Sequence, residues 1–246
     1  MRRLRLLRDS CPDPALDVAL SRAVLERVAA GELPETLRLA RPAAMVAFGK
    51  QDVVSGGYAV AADAAKRHGF APVVRLGGGR AAVFHEGTVE LAHAIPDPDP
   101  RAGIRARFER SAGVIAAALR RLGVDARVGE VPGEYCPGGF SVNARGRVKL
   151  VGVAQRVIAG GAHVGAVVVA ERAEAVREVL LAVYEALGLD WDPGTVAAVA
   201  DEAPGASLAD VLAALEAEYA ERYELFEGAL EPETLTLARR LADAAK

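Results

Sequence analysis

Residues 75–85 have the sequence RLGGGRAAVFH and come directly after an apolar run at 72–74. Three consecutive glycines lack a Cβ, so their backbone N–H groups can approach a bound group closely. The pattern is neither the phosphate-binding loop with Gly-Lys-Ser/Thr nor the dinucleotide fingerprint that opens a helix. Taken alone, the glycines equally fit a tight turn between two strands, and His85 equally fits a structural histidine.

A second informative stretch is EYCPGG at residues 134–139, which holds Cys136, one of two cysteines. In a Pro/Gly loop this thiol could be reachable, and a thiolate becomes nucleophilic beside cations or helix N-termini. The alternative is a small buried apolar residue, which is our interpretation of Cys11. Lys149 follows in an apolar strand, where it could stabilise an oxyanion or be a solvated strand residue.

Composition narrows the class of protein. The 246 residues carry a net charge of −3, with a pI of about 5.9, which argues against a nucleic-acid-binding protein. We interpret the basic clusters at 2–5 and 120–121 as solvated surface. No apolar run reaches the roughly 18–20 residues of a membrane span, and no signal peptide is evident, so a reducing cytoplasm is expected. The cysteines and histidines show no metal-ligand spacing, so no metal site is predicted.

The pattern of apolar residues and breaks predicts an α+β fold with a mixed β-sheet core and flanking helices. Helices are predicted from Pro14 to Gly31 and at 60–68, 104–122, 171–187, 207–223 and 232–246. Strands are predicted at 36–41, 44–48, 72–76, 81–84, 89–95, 127–131, 140–143, 148–154 and 163–170. The breaks after Trp191 divide the chain into a main domain, 1–195, which holds both candidate motifs, and a helical C-terminal appendage, 196–246.

Together these motifs resemble the lipoate branch of the biotin/lipoate protein ligase family. That branch has Arg-x-x-Gly-Gly-Gly-x-x-x-x-His, as at 75–85, and Gly-x-Lys-x-x-Gly, as at 146–152 with one more residue before the lysine. The resemblance covers roughly residues 13–170 and implies a ligase-like (class II synthetase-like) fold. Segments 135–138, 152–156 and 160–161 are similar to the octanoyl/lipoyl amidotransferase branch. The chain departs from the family at Leu76, where serine is common, and at Ser21-Arg22, where ligases usually carry Glu.

The resemblance to the amidotransferase branch implies acyl transfer through a thioester. Cys136 would carry the acyl group, and Lys149 would hold the acyl carbonyl together with the glycine loop. The implied substrate-binding residues are Arg75, Gly77, Gly78, Gly79, His85 and Gly152. His85 could also shuttle a proton, and the acyl chain would lie in a tunnel lined by Val73, Val83 and Val151.

The same resemblance implies the substrates and partners. An octanoyl or lipoyl group would move from the glycine cleavage H protein to the lipoyl domains of 2-oxoacid dehydrogenases, and this exchange needs no cofactor. A first alternative is an ATP- and Mg-dependent ligase that makes a lipoyl-adenylate from free lipoate, with Cys136 incidental. A second is a non-catalytic lipoate-binding or ligase-assisting protein. Neither nucleic acid nor a membrane is expected as a partner.

Overall fold

A computed structural model of the protein describes residues 1–244, and its core is one large mixed β-sheet. Its strands, in spatial order, are β11 (Tyr223–Glu227), β1 (Arg2–Leu7), β2 (Thr36–Ala40), β6 (Thr88–Pro96), β10 (Gly161–Val169), β9 (Val148–Ile158), β8 (Val142–Ala144) and β7 (Ala126–Val128). β1 pairs in parallel with both β11 and β2, and the pairs from β2 to β7 are antiparallel. The predicted mixed sheet is therefore confirmed.

A smaller sheet and the helices complete the architecture. The small sheet has the order β4 (Ala71–Val74), β3 (Met45–Phe48), β5 (Ala82–Phe84). The helices of the described residues are α1 (Pro14–Ala29), α2 (Lys50–Val53), α3 (Tyr58–Arg67), α4 (Ile104–Arg121), α5 (Ala173–Leu187), α6 (Val199–Glu202), α7 (Leu208–Ala220) and α8 (Pro232–Asp243). Most predicted elements lie within a few residues of these bounds.

The two faces of the large sheet have different coverings. On one face, Leu37, Leu91 and Val168 share a buried apolar cluster with residues of α4 and α7. On the opposite face, α1 packs against β6 and β10, and α8 packs against α1. The small sheet lies over the remaining part of that second face, with α3 and α5 behind it. The two sheets leave a space between them, and the candidate site lies in this space.

Local signals explain the helix ends that position these layers. The Asp13 side chain accepts hydrogen bonds from the backbone N–H groups of Ala15 and Leu16, at 3.0 and 3.3 Å, and Pro14 occupies the first helical turn. Gly188 ends α5 in the left-handed conformation, with φ of 66°. Both ends are confirmed as predicted.

The N-terminal basic cluster at 2–5 is not simply solvated surface, which corrects the sequence interpretation. It belongs to β1, whose residues from Leu4 to Leu7 are buried. Arg5 is buried as well, and its guanidinium forms an ion pair with Glu231 at 2.6 Å and donates to the Ala229 carbonyl. The charge is accommodated because the partner comes from the far C-terminal part of the chain, which the local sequence does not indicate.

The C-terminal segment is also not wholly helical. The helix predicted to reach Tyr223 ends at Ala220, and β11 follows and pairs with β1. α7 packs against α4, so residues from both sides of position 195 share one apolar cluster. The division of the chain at residue 195 stays a prediction. The last two residues of the helix predicted at 232–246, residues 245 and 246, lie outside the described residues.

Replacing Gly188 tests the cap of α5. A Cβ at Gly188 meets no atom within 4 Å, so Gly188→Ala should destabilise through backbone strain alone, by about 1–2 kcal/mol. Gly113 is the matched control, because it lies inside α4 with equally open space. Gly113→Ala should stabilise by about 0.5–1 kcal/mol. Urea unfolding of the two variants measures both effects, and equal signs would contradict the cap assignment.

Candidate active site

A cavity of about 470 Å³ lies between the large and small sheets. On the large sheet, its floor includes Gly152 and Ala154 of β9 and Gly165 of β10. Ala154 pairs with Gly165, and Gly152 pairs with Val167, and directly paired residues point to the same face of a sheet. Because three of these four residues have little or no side chain, the floor leaves room for a ligand.

Two loops and the small sheet form the rest of the cavity wall. The first loop follows β4 and includes the glycine triplet, and the second carries Cys136. Several lining residues come from the small sheet and its neighbours, namely Met45, Ala47, Ala82 and Phe84. The structure thus brings together seven of the predicted site residues at one cavity, namely Arg75, Gly77, Gly78, Gly79, Cys136, Lys149 and Gly152.

The Cys136 thiol lies half-buried at the junction of the two loops. Its Sγ accepts hydrogen bonds from Arg75 Nη2 at 3.3 Å and from the Arg80 backbone N–H at 3.2 Å. A guanidinium and an amide donor both favour negative charge on the sulfur. Their arrangement therefore suits a nucleophile better than an inert core thiol.

Gly79 makes this close approach possible. It has φ of 99°, and a Cβ built there would overlap Arg75 Nη2 and lie 2.9 Å from Cys136 Sγ. Any larger residue would therefore separate the guanidinium from the sulfur. Gly77 has a related restriction, since its Cβ would be 2.9 Å from Ala154, whereas Gly78 has open space.

The backbone around Cys136 is held from two sides. Its N–H donates to Tyr184 Oη at 2.8 Å, and that hydroxyl donates to the Ala81 carbonyl at 3.1 Å. Burial raises the pKa of Tyr184 well above its usual value, so the phenol keeps its proton. Cys136 itself has φ of 43°, a left-handed conformation that these bonds help to maintain.

Lys149 holds the same loop from the floor of the cavity. With 1% of its surface exposed, it donates to Glu134 Oε1 at 3.0 Å and to the carbonyls of Tyr135 and Cys136 at 2.9 and 2.8 Å. An ammonium has three N–H donors, and these three bonds use all of them. Binding an acyl carbonyl would therefore require one of these bonds to be exchanged.

Glu134 is a site residue to which the sequence analysis assigned no role. Besides the ion pair with Lys149, it accepts from Ser141 Oγ at 2.6 Å and from the backbone N–H groups of Val131 and Gly138 at 3.0 and 3.1 Å. It thus closes the whole Cys136 loop around one carboxylate. The sequence shows only that Glu134 directly precedes Tyr-Cys-Pro. A single acidic residue at that position does not indicate that it binds the whole loop.

Arg75 also faces the cavity. Its Nη2 contacts the thiol, and its buried Nε has no hydrogen-bond partner among residues 1–244. A buried donor without a partner is costly, so this group is suited to a carbonyl or anionic group of a ligand.

His85 does not line the cavity with the other seven predicted site residues, and its substrate-binding role stays a prediction. Its Nδ1 accepts from the Gly87 backbone N–H at 2.9 Å, within the turn between β5 and β6. Burial, and then the charge of Arg172, lowers its pKa to about 4. The strand carries Phe84 into the cavity, and the next side chain therefore points away from it.

The predicted valine tunnel is also wrong. Val83 packs with the cluster of α3 and α5, Val151 packs with the cluster of α4 and α7, and Val73 packs beside Met45. None of the three lines the cavity, whose apolar wall instead includes Val153 and Val167. The apolar strands have buried residues on both faces, so composition alone could not tell which face meets the ligand.

One part of the cavity wall is polar and was missed from the sequence. Ser21 of α1, Glu90 of β6 and His163 of β10 line it. Glu90 accepts from Arg38 Nη1 at 3.0 Å and from Ser21 Oγ at 3.3 Å, and Arg38 also donates to the buried Asp17. Burial and the nearby Glu90 raise the pKa of Asp17 from 3.8 to about 7. One guanidinium therefore serves two carboxylates.

The described residues offer neither a cluster of metal ligands nor a membrane-spanning helix. No group of three or more His, Cys, Asp or Glu side chains among them could hold a metal ion. No helix among them is both long and apolar enough to cross a membrane.

Comparison with solved structures defines the class of fold. A bipartite lipoate protein ligase of Thermoplasma acidophilum, described together with its E2 lipoyl domain, superposes with a TM-score of 0.76 over 99% of this chain and 93% of that chain, at 21% identity. The architecture is therefore that of the lipoate protein ligases, as the sequence resemblance predicted.

Sequence comparison gives the family. The family model of the lipoyl protein ligase A/B catalytic domain matches residues 13–219, and the chain belongs to this family. An octanoyl-GcvH:protein N-octanoyltransferase of Anoxybacillus flavithermus is 32% identical over 68% of this chain and 61% of its own length. One of Bacillus velezensis is 26% identical over 85% of this chain and 75% of its own length. Among the first curated relatives it matches, the chain spans 34% to 61% of their length, less than two thirds.

Replacing Gly79 tests the contact between Arg75 and the thiol. Gly79→Ala should cost about 1–3 kcal/mol of unfolding free energy through steric overlap, and should slow alkylation of Cys136 by iodoacetamide. Gly78→Ala is the matched control, with open space, and should change stability by no more than about 0.5 kcal/mol. Mass mapping of the alkylated peptide separates Cys136 from Cys11. Equal alkylation rates in the two variants would contradict the contact.

Replacing Asp17 tests the buried charge cluster. Its folded-state pKa of about 7 lies above the usual 3.8, so its contribution to stability is present below about pH 4 and is lost as the pH rises through about 7. Asp17→Asn should remove this loss, which amounts to a few kcal/mol, while Arg38 and Glu90 remain paired. The measurement is urea unfolding across this range, with the exposed Asp63→Asn as control. If the unfolding free energies of wild type and Asp17→Asn changed in parallel with pH, the assigned contribution of Asp17 would be contradicted.

Proposed function

We propose that this protein is an acyltransferase that moves an octanoyl or lipoyl group onto the lysine of a lipoyl domain through a thioester on Cys136. The donor would be an acylated glycine cleavage H protein. The observation that carries the proposal is the position of Cys136 Sγ in the cavity, beside Arg75 Nη2 and the Arg80 N–H. A structural thiol would have no need for these two donors.

The reaction balances without ATP. In the first step the Cys136 thiolate attacks the carbonyl carbon of the donor's acyl-lysine amide, the C–N bond breaks, and the lysine amine leaves with a proton from solvent. In the second step the neutral ε-amine of the acceptor lysine attacks the thioester carbonyl carbon, a C–N bond forms, the C–S bond breaks, the nitrogen gives a proton back to solvent, and the thiolate is restored. One amide replaces another of the same kind, so no energy source is required.

The cavity offers groups for each part of the substrate. The buried Nε of Arg75 and the amides of Gly77, Gly78 and Gly79 would meet the acyl carbonyl and stabilise its oxyanion. The floor at Gly152 would lie below the first carbons of the chain. These roles follow from the lining of the cavity and from the donors available there.

Lys149 would act mainly as a positioning residue. Its three hydrogen bonds fix the loop that presents the thiol, and one of them binds the backbone carbonyl of Cys136 itself. It would contribute directly to an oxyanion only if the bond to Tyr135 or Cys136 were exchanged. This positioning role differs from the predicted catalytic role of Lys149 in holding the acyl carbonyl, which stays a prediction.

The relatives support this reaction class. Their names describe transfer of octanoyl groups from GcvH to protein, and one relative from Listeria monocytogenes is named a lipoyl-GcvH:protein N-lipoyltransferase. The archaeal ligase of the same fold is described together with an E2 lipoyl domain. We extend these donors and acceptors to this chain as part of the proposal, together with a reducing cytoplasm, where the thiol would stay free.

The test is to detect the acyl-enzyme. Incubation with an octanoylated H protein should add one octanoyl group to the enzyme, released by hydroxylamine and mapped to Cys136. Cys136→Ser should form no thioester and lower transfer to a lipoyl domain by at least about a thousandfold, as for loss of a covalent nucleophile. Cys11→Ser is the matched control and should keep both activities, because Cys11 packs between α1 and α8.

Two other outcomes would replace the proposal. Transfer that survives Cys136→Ala, requires ATP and free lipoate, and releases pyrophosphate would identify a ligase. Tight binding of lipoate with no transfer to any lipoyl domain would identify a non-catalytic binding protein.

A further inference from the structure

The backbone amide that donates to the Cys136 thiol belongs to a loop with little rigidity of its own. It is the N–H of the peptide between Gly79 and Arg80, and this peptide follows directly on the glycine triplet. Glycine backbones adopt many conformations at low cost. The glycines therefore cannot by themselves keep this N–H at 3.2 Å from the sulfur, and its position requires support from outside the loop.

Asp52 supplies that support through an ion pair. It is the third residue of α2, and its side chain has no exposed surface. Its Oδ1 accepts from Arg80 Nη1 at 3.2 Å, whereas the Arg80 side chain keeps 33% of its surface exposed. Because the carboxylate is enclosed by the protein and the guanidinium is not, the ion pair restrains Arg80, the residue whose backbone N–H reaches the thiol.

The second oxygen of Asp52 supports the other side of the same peptide. Oδ2 accepts from the Gly49 backbone N–H at 2.9 Å. Gly49 lies against the Gly79 carbonyl, since a Cβ built at Gly49 would overlap that oxygen. In a trans peptide the carbonyl and the N–H point in opposite directions. Gly49 therefore backs the peptide on its carbonyl side, and the N–H on the other side points at Cys136 Sγ.

Helix capping alone does not account for Asp52. Its bond to the Gly49 N–H is part of a capping box at the start of the four-residue helix α2. Asp201 has the equivalent position in the four-residue helix α6 and accepts from the Ala198 N–H at 2.8 Å. Asp201 is nevertheless exposed and forms no ion pair with any residue of 1–244. Complete burial of a carboxylate is costly, and the cap does not require it.

We propose that Asp52 is a positioning residue that holds the Arg80 N–H against the Cys136 thiolate. Its importance for acyl transfer rests on the proposed function, in which this thiolate attacks the acyl carbonyl. An N–H donor held at the sulfur stabilises the negative charge that makes the thiolate reactive. Asp52 does not line the cavity, so it acts through Arg80 and Gly49 and not on the substrate.

The test measures the rate at which iodoacetamide alkylates Cys136 in the full chain, with mass mapping to separate Cys136 from Cys11. Asp52→Asn keeps the size of the side chain and an oxygen that can accept from the Gly49 N–H, but it removes the charge that binds Arg80. We expect alkylation of Cys136 to slow about tenfold, the effect of losing one hydrogen bond to a charged group. An unchanged rate would overturn the proposal. A faster rate would also overturn it, because it would show that Asp52 only keeps the Arg80 guanidinium away from the sulfur.

Asp201→Asn is the matched control, because it changes the same helix position and the same kind of cap in α6. It should leave the alkylation rate of Cys136 unchanged. Urea unfolding of both variants measures the contribution of each cap to stability. If Asp52 were only a cap, Asp52→Asn would lose stability as Asp201→Asn does and would keep the wild-type alkylation rate.

Arg80→Gln breaks the same ion pair from its exposed side and serves even if Asp52→Asn does not fold. It keeps the backbone N–H, yet it should slow alkylation of Cys136 by a similar factor, because the peptide loses its restraint. The double variant should be no slower than either single variant, since both substitutions remove one contact. A wild-type rate in Arg80→Gln, or effects that multiply in the double variant, would overturn the proposal.

The outcome can be separated from that of the proposed function. In transfer from an octanoylated H protein, Asp52→Asn should lower kcat about tenfold with KM unchanged, and a change in KM alone would overturn the positioning role. Slower alkylation in Asp52→Asn, with no thioester formed by the wild type, would leave the positioning role intact and reject the acyltransferase. A thioester on Cys136, with an unchanged alkylation rate in Asp52→Asn, would leave the acyltransferase intact and reject the positioning role.

Discussion

The candidate site depends on one buried ion pair, between Lys149 and Glu134. An ammonium inside a protein is tolerated only when its donors are satisfied, and Lys149 meets this condition with one carboxylate and two carbonyls. Those acceptors all come from the loop that carries Cys136. The requirement to satisfy one charge therefore determines where the thiol lies, and it ties an irregular loop to the regular strand β9.

The cavity exists because part of one face of the large sheet carries only small side chains or none. On the face opposite α4 and α7, the strands β9 and β10 carry Gly152, Ala154 and Gly165, so the small sheet cannot pack directly onto them. Apolar side chains then close the sides, while the residues against α1 are polar. Cys136 and Glu90 thus line one cavity, with two hydrogen-bond donors at the thiol and the Arg38-paired carboxylate of Glu90 in another part of the wall.

The sequence predicts those features that depend on neighbouring residues. Asp13 and Gly188 predicted helix ends because capping and left-handed backbone act locally. The meeting of Arg75, the glycines, Cys136 and Lys149 was implied by the family resemblance and not by local signals. The sequence-based predictions failed where a residue's partner is distant along the chain, or where the role of a residue depends on which face of a strand it occupies.

The failures have specific physical causes. β1 was missed because its buried Arg5 pairs with Glu231 and one of its edges pairs with β11, both far along the chain. Val83 and Val151 of the expected tunnel face apolar clusters outside the cavity. The sequence could not predict this, because apolar strands in this fold are buried on both sides. Glu90 carries no local signal, since its place in the cavity wall depends on contacts with Arg38 and Ser21, which are distant in sequence.

The parallel pairing of β1 with β11 has a consequence for how this protein forms during synthesis. Arg2 lies opposite Tyr223, so β1 acquires one of its two partner strands only after the chain has been made as far as Tyr223 and beyond. Until then one edge of β1 has unpaired backbone groups, and Arg5 lacks the carboxylate that neutralises it. Such a contact, long-range in sequence, closes late. A nascent chain that stops short of β11 therefore presents an open sheet edge, the feature on which chaperones act and from which aggregation starts.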